Sequence, residues 1–195
     1  MIAAGCGLSL FVTASAPSLA QSAGGCQLQG TANFSPGLNS NPQPFSYNFA
    51  GNLTGCQGTQ AGVPATGVVS AGDAVSINGQ QFQEPVPTGS GGCANSTTSG
   101  IAIATWADAT QTVIQYSTAG AAAAVQLSGT AVPSVTLQAI NPLPGQPTST
   151  TVTTTRYGGQ AANGVLAFQP PDPTACNTPT GATSAGISGG VTFSE

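Results

Sequence analysis

The chain of 195 residues contains no lysine and no histidine, and its single basic side chain is Arg156. Charged residues make up 3% of the sequence, whereas about a quarter is usual in soluble globular domains. The five acids are Asp73, Glu84, Asp108, Asp172 and Glu195. Because phosphates are neutralised by several basic side chains, we expect no nucleic-acid partner and no attraction to an anionic membrane surface.

The absence of lysine and histidine also rules out most of the usual catalytic groups. A serine or cysteine nucleophile needs a base, and the familiar triads use histidine or lysine. A pair of carboxylates could still hydrolyse a glycosidic or peptide bond, but the acids here are scattered singly. We therefore expect no enzyme, with a hydrolase using two lone carboxylates, Asp73 and Asp108, as an alternative. We also expect no cofactor and no metal site, because there are no CxxC pairs and no acidic loop.

Residues 1–20 carry the pattern of an export signal. The segment 2–12 is apolar, and Ser18-Leu19-Ala20 forms a small-x-small cleavage site before Gln21. The apolar run is shorter than the roughly 20 residues of a membrane span, so we expect no transmembrane span. We predict a signal peptide over 1–20 and a secreted all-β domain over 21–195, extracellular or associated with the cell envelope. A buried N-terminal strand is the alternative for residues 1–20.

Four cysteines follow that segment, and an even number in an exported chain predicts two disulfides. We prefer the pairs Cys26–Cys56 and Cys93–Cys176, and the two other connectivities stay open. Apolar residues are even-numbered around Cys26 and odd-numbered before Cys56. The first pair therefore needs a one-residue offset between the two strands, which a bulge at Gly55 could supply.

Strand patterns dominate the mature chain. Residues 26–34 and 45–54 alternate between apolar and polar side chains, with a Pro-, Gly- and Asn-rich loop between them. Further strands are expected near residues 65–78, 99–107, 110–118, 123–130, 133–140, 149–157, 162–169 and 183–193. The fold prediction is a single antiparallel all-β domain, a β-sandwich or partly closed barrel of about 8–10 strands.

Several short segments resemble a group of exported all-β proteins from high-GC Gram-positive bacteria, mostly without known function. They are Cys26-x3-Gly30, Phe34-Ser-Pro-Gly-Leu38, Phe49-x-Gly-x-Leu53-x-x-Cys56, Trp106-x-Asp108 and Gly190-Val-Thr-Phe193. The resemblance implies secretion and a β fold. It implies no activity, and it carries over no functional residue.

Aromatic side chains and a threonine row are the candidate contact sites. Core positions are favoured for these aromatic residues, Trp106, Tyr47, Tyr116 and Tyr157. Among them, Tyr157, beside Arg156 and two glycines, is the best candidate for an exposed ring. Thr151, Thr153 and Thr155 alternate on one face of an expected strand, where they could contact a ligand or another surface. We list Trp106, Tyr157 and these three threonines as possible ligand or surface contacts.

Low charge, secretion and a β fold together favour a non-catalytic domain. The first hypothesis is binding to the cell envelope or self-assembly, with the chain itself or cell-wall polymer as partner, because little charge opposes association. The alternative is a domain that binds a small apolar ligand or a carbohydrate in a cleft.

Overall fold

A computed structural model describes residues 22–59 and 62–195. The expected signal peptide, 1–20, lies outside these residues. The described chain contains thirteen strands and one short 3-10 helix, Pro173–Asn177. In chain order the strands are β1 Ser22–Leu38, β2 Gln43–Gly58, β3 Gly67–Ala71, β4 Ala74–Ile77, β5 Gln80–Gln83, β6 Thr88–Gly91, β7 Asn95–Trp106, β8 Gln111–Ala121, β9 Ala124–Val132, β10 Ser134–Ala139, β11 Ser149–Thr153, β12 Ala161–Gln169 and β13 Ala182–Ser194.

The long strands close into an antiparallel barrel. The strand order is β1-β13-β12-β9-β8-β7-β3-β2, and pairing between β2 and β1 completes the circle. The short strands β3 and β6 share one position, since each pairs with both β2 and β7. Because the barrel is closed, none of these long strands has an unpaired edge. Every second side chain along each strand faces the lumen, and most of these inward-facing side chains are apolar.

A second sheet packs on the outside of the barrel. Its order is β11-β10-β5-β4, and its buried side chains meet the outward-facing Ile103 and Val113 of β7 and β8. The described residues therefore form two apolar cores. One lies in the barrel lumen, and the other lies between the barrel wall and the second sheet.

The fold class predicted from sequence is confirmed, and the structure decides for the barrel. Three short strands raise the number above the expected 8–10. The expected strand at 65–78 divides into β3 and β4, because Gly72 turns the chain with a φ of +75°. The strands β5 and β6 were not predicted, since their polar and glycine-rich sequences, QQFQ and TGSG, carry little strand pattern.

Both preferred disulfides are present. Phe34 lies opposite Tyr47 in the β1–β2 pair, so even-numbered residues of β1 share a face with odd-numbered residues of β2. The register shifts by one residue between Gly25 and Gln27, where Gly55 adopts a φ of +58°. This expected offset brings Cys26 to Cys56, which are bonded. Cys93 is bonded to Cys176 at the other end of the barrel.

Candidate functional site: the barrel lumen

The lumen is an incompletely filled apolar space. It contains a cavity of about 140 Å³ whose lining is almost entirely hydrocarbon. Small inward-facing side chains on one side of the barrel explain the space, because alanine leaves most of the lumen width unoccupied. These residues are Ala32, Ala71, Ala102 and Ala104.

Inward-facing glycines shape the lumen where a large side chain crosses it. A Cβ atom at Gly30 would lie 2.6 Å from the Phe49 ring, and one at Gly51 would lie 2.8 Å from it. The two glycines face each other across β1 and β2 and make room for this ring. Alternation of large and glycine positions thus decides where the lumen is filled and where it is not.

One end of the lumen is sealed by three aromatic rings. Tyr157 and Phe193 are stacked with centroids 4.3 Å apart, and Trp106 meets them edge-on at 5.5 and 6.1 Å. Trp106 is 2% exposed and Tyr157 is 3% exposed. The exposure that the sequence suggested for Tyr157 is therefore wrong. The loop after β11 adopts a φ of +58° at Tyr157, and it packs the ring inward.

Polar contacts hold this seal in place. The indole N–H of Trp106 donates to Thr112 Oγ1 at 2.9 Å, and that hydroxyl donates to the Arg156 carbonyl at 2.9 Å. The Arg156 guanidinium binds Asp108 at 2.7 Å. Hydrogen bonds from Thr110, assisted by Arg156, hold the pKa of Asp108 below its usual range. The single cation of the protein is thus engaged at the sealed end.

The other end of the barrel carries apolar side chains that remain partly exposed. Phe34, Tyr47 and Phe168 face the lumen here, with Phe34 about 6.0 Å from both other rings, measured between centroids. Loops from three parts of the chain flank this end, joined by the Cys93–Cys176 disulfide and by a hydrogen bond from Cys93 N to Asn39 O. These rings stay partly exposed, whereas the three rings of the sealed end are 2–3% exposed, and we call this end of the lumen the open end.

Four hydroxyl groups form a chain on the lumen wall. Tyr47 Oη lies 2.6 Å from Tyr116 Oη and 3.1 Å from Thr98 Oγ1, and Thr98 Oγ1 lies 2.7 Å from Thr118 Oγ1. Thr98 and Thr118 face each other across β7 and β8. Burial raises the pKa of both tyrosines, so all four groups stay neutral hydroxyls. They form a hydrogen-bonded polar strip in a cavity whose other lining residues are apolar except Ser96 and Thr192.

The acids do not assemble into a catalytic pair with Asp108. Glu84 is 1% exposed between the barrel and the second sheet, where it accepts hydrogen bonds from Ser70 Oγ and Asp73 N at 2.6 and 3.1 Å. Burial raises the pKa of the Glu84 carboxyl. Asp73 itself accepts from Asn48, whereas Asp108 lies in the turn after β7. Over 22–59 and 62–195, no three potential ligands among His, Cys, Asp and Glu gather to hold a metal ion.

None of the three threonines of the row lines the cavity. Thr151 and Thr153 are exposed on β11, an edge strand of the second sheet, as the strand pattern predicted. Thr155 is exposed beyond the end of β11, where its hydroxyl accepts from Gln111 N. The hydroxyl chain and the cavity were missed by sequence reasoning. The even-numbered run of small or hydroxyl side chains on β7, Ser96 to Ala104, is the signal that could have indicated them.

Searches against protein-family models, curated proteins and solved structures find no match. The resemblance to exported bacterial proteins therefore stays a prediction. In the part of the chain that the structure describes, no helix is long and apolar enough to cross a membrane.

Proposed function

We propose that the protein binds a small apolar molecule in the lumen of its barrel. The observation that carries this proposal is the cavity of about 140 Å³, sealed at one end by aromatic rings and open at the other. This favours the ligand-binding hypothesis over assembly, because a monomer that uses its apolar residues for folding alone fills its core to native density.

Cavity size and lining limit the ligand. An engineered apolar cavity of about 150 Å³ stays dry and takes up benzene or xenon, so this lumen suits one ring or a short branched chain. Rings such as Phe34 and Phe168 lose their remaining contact with water when a ligand covers them. Each square ångström of apolar surface removed from water contributes about 25 cal/mol.

Toluene is a suitable probe, and calorimetric titration together with thermal unfolding measures its binding. We expect saturable binding by the wild type, and at ten times its Kd toluene should stabilise the fold by about 1.4 kcal/mol. The variant Ala102→Leu places three more carbon atoms in the lumen and should weaken binding at least about tenfold. Ala102 lines the cavity and is 8% exposed.

Ala50→Leu is the matched control. Ala50 is exposed on β2 and faces away from the lumen, between the inward-facing Phe49 and Gly51. It should bind toluene like the wild type. The proposal fails if the wild type shows no saturable binding, or if Ala102→Leu and Ala50→Leu bind equally well.

One observation favours the assembly hypothesis as a second candidate. Among the described strands, β11 and β4 each pair on one side only, and the outward row of Thr151 and Thr153 on β11 carries no charge to repel another copy. An unprotected edge can pair with a second chain. Sedimentation at rising concentration, with and without purified cell wall, tests this candidate by comparing the wild type with Thr153→Lys. If the wild type stays monomeric and does not bind cell wall, the assembly hypothesis is excluded and ligand binding is the one remaining candidate.

A further inference from the structure

We infer that the ligand of the lumen is a neutral compound with one hydroxyl group, and that this group binds at the Thr118 end of the hydroxyl chain. The inference rests on the proposed ligand binding and adds its chemical class: a phenol or alcohol on a compact hydrocarbon body. It follows from a count of protons, from the position of the two chain ends, and from the charges around the lumen.

The hydroxyl chain has one more O–H donor than it has hydrogen bonds between its members. Its four groups, Tyr116, Tyr47, Thr98 and Thr118, carry four O–H donors, and the three contacts between them take three. One end of the chain therefore keeps a free donor, while the other end keeps free lone pairs. The chain can reverse all its hydrogen bonds together, so a ligand hydroxyl, which both donates and accepts, completes it in either direction.

The two ends of the chain are not equally accessible. A Cβ atom at Gly100 would lie 3.0 Å from Tyr116 Oη and 2.7 Å from Pro87 Cβ, so this hydroxyl lies against the barrel wall. Thr118 is partly exposed near the open end of β8 and lines the cavity. A ligand that enters from the open end meets Thr118 Oγ1, with Thr98 Oγ1 2.7 Å behind it.

Charge excludes anionic ligands from the same position. Arg156 is committed to Asp108 and Thr110, and no cationic side chain lines the described lumen. A carboxylate would lose its hydration without gaining a counter-charge.

The test compares toluene, phenol and benzoate at pH 7 by calorimetry. Toluene and phenol have the same number of heavy atoms, so their affinity ratio reports the hydroxyl contact. In an apolar cavity without a partner, burying a hydroxyl would weaken phenol strongly against toluene. We expect the wild type to bind phenol within about threefold of toluene or more tightly, and benzoate at least about a hundredfold more weakly than phenol.

The variant carrying both Thr98→Val and Thr118→Val removes the accessible end while keeping the side-chain shape. It should lower the ratio of phenol affinity to toluene affinity at least about tenfold relative to the wild type. Serine at both positions keeps the hydroxyls and should restore phenol binding. Valine at the exposed Thr97 of β7 and Thr130 of β9 is the matched outward control and should change the affinity for neither ligand.

The outcomes separate the two proposals. If toluene does not bind the wild type, ligand binding itself is wrong. If toluene binds but phenol is more than about threefold weaker in the wild type, or if benzoate binds within about a hundredfold of phenol, the assignment of a neutral hydroxyl ligand is wrong and the apolar site remains. The wild-type ratios decide this even if the double valine variant does not fold. An unchanged phenol-to-toluene ratio in a folded double valine variant would also overturn the assignment.

Discussion

Filling the lumen should stabilise the ligand-free protein. In Ala102→Leu, three additional carbon atoms enter the cavity lined by Ala102. Each buried methylene contributes about 0.8 kcal/mol, so the gain is about 2.4 kcal/mol before losses. Ordering a leucine side chain costs about 0.5–1 kcal/mol. The free energy of unfolding should therefore rise by about 1.5 kcal/mol.

The sign of this change is the informative quantity. A lumen that is already packed would have to shift its neighbours, and overpacking costs about 1–3 kcal/mol. An empty lumen and a packed lumen thus predict changes of opposite sign in the free energy of unfolding, about 3 kcal/mol apart. This gap is well beyond the error of urea unfolding curves.

Urea denaturation of the oxidised, ligand-free protein, followed by tryptophan fluorescence, measures the difference. Trp106 lies in the sealed end of the lumen and reports on it. The control Ala50→Leu places the same side chain on the exposed outer face and should stay within about 0.5 kcal/mol of the wild type. A loss of 1 kcal/mol or more in Ala102→Leu at an unchanged m-value would refute the cavity.

Three further changes test other parts of the structure. Thr112→Val removes the buried hydroxyl between the Trp106 indole and the Arg156 carbonyl, so it should cost about 1–3 kcal/mol in urea unfolding, whereas Thr112→Ser should recover most of that loss. Removing a disulfide by paired Cys→Ala substitutions should lower the free energy of unfolding through the lost loop constraint. The expected loss is about 3.6 kcal/mol for Cys26–Cys56, with a separation of 30 residues, and about 4.6 kcal/mol for Cys93–Cys176, with a separation of 83 residues. Equal losses would argue against the loop-entropy explanation. The raised pKa of Glu84 favours its protonated form in the folded protein. Its contribution to the free energy of unfolding is therefore fully present below the unfolded pKa of about 4.3 and is lost as the pH rises through the folded pKa. The slope of this loss is at most about 1.4 kcal/mol per pH unit. Glu84→Gln should remove this decline, and an identical pH profile for wild type and variant would exclude Glu84 as its cause.

Local alternation in the sequence determined much of the fold that could be predicted. The even parity around Cys26 and the odd parity before Cys56 led to the hairpin register, the offset at Gly55 and the disulfide between them. These features depend on side chains within a few tens of residues, which a period of two describes well.

Features that depend on distant parts of the chain were not predictable. Closure requires β1 to pair with β13 as well as with β2. The residue pattern of β1 does not indicate which distant strand is its second partner. Tyr157 lies in a loop flanked by Arg156 and Gly158, which suggested exposure, but its ring meets Phe193 from the last strand. The hydroxyl chain joins side chains from β2, β7 and β8, so it is visible only once the barrel is closed.

If the lumen is a binding site, a small apolar molecule must bind there and not between the barrel and the second sheet. Methyl NMR during a toluene titration can distinguish the two apolar cores. We expect saturable shifts at the lumen-lining Leu28, Leu53 and Leu166, and no change at Val135 and Leu137 between the barrel and the second sheet. Unchanged lumen methyl signals at the solubility limit of toluene, or equal shifts in both cores, would contradict it.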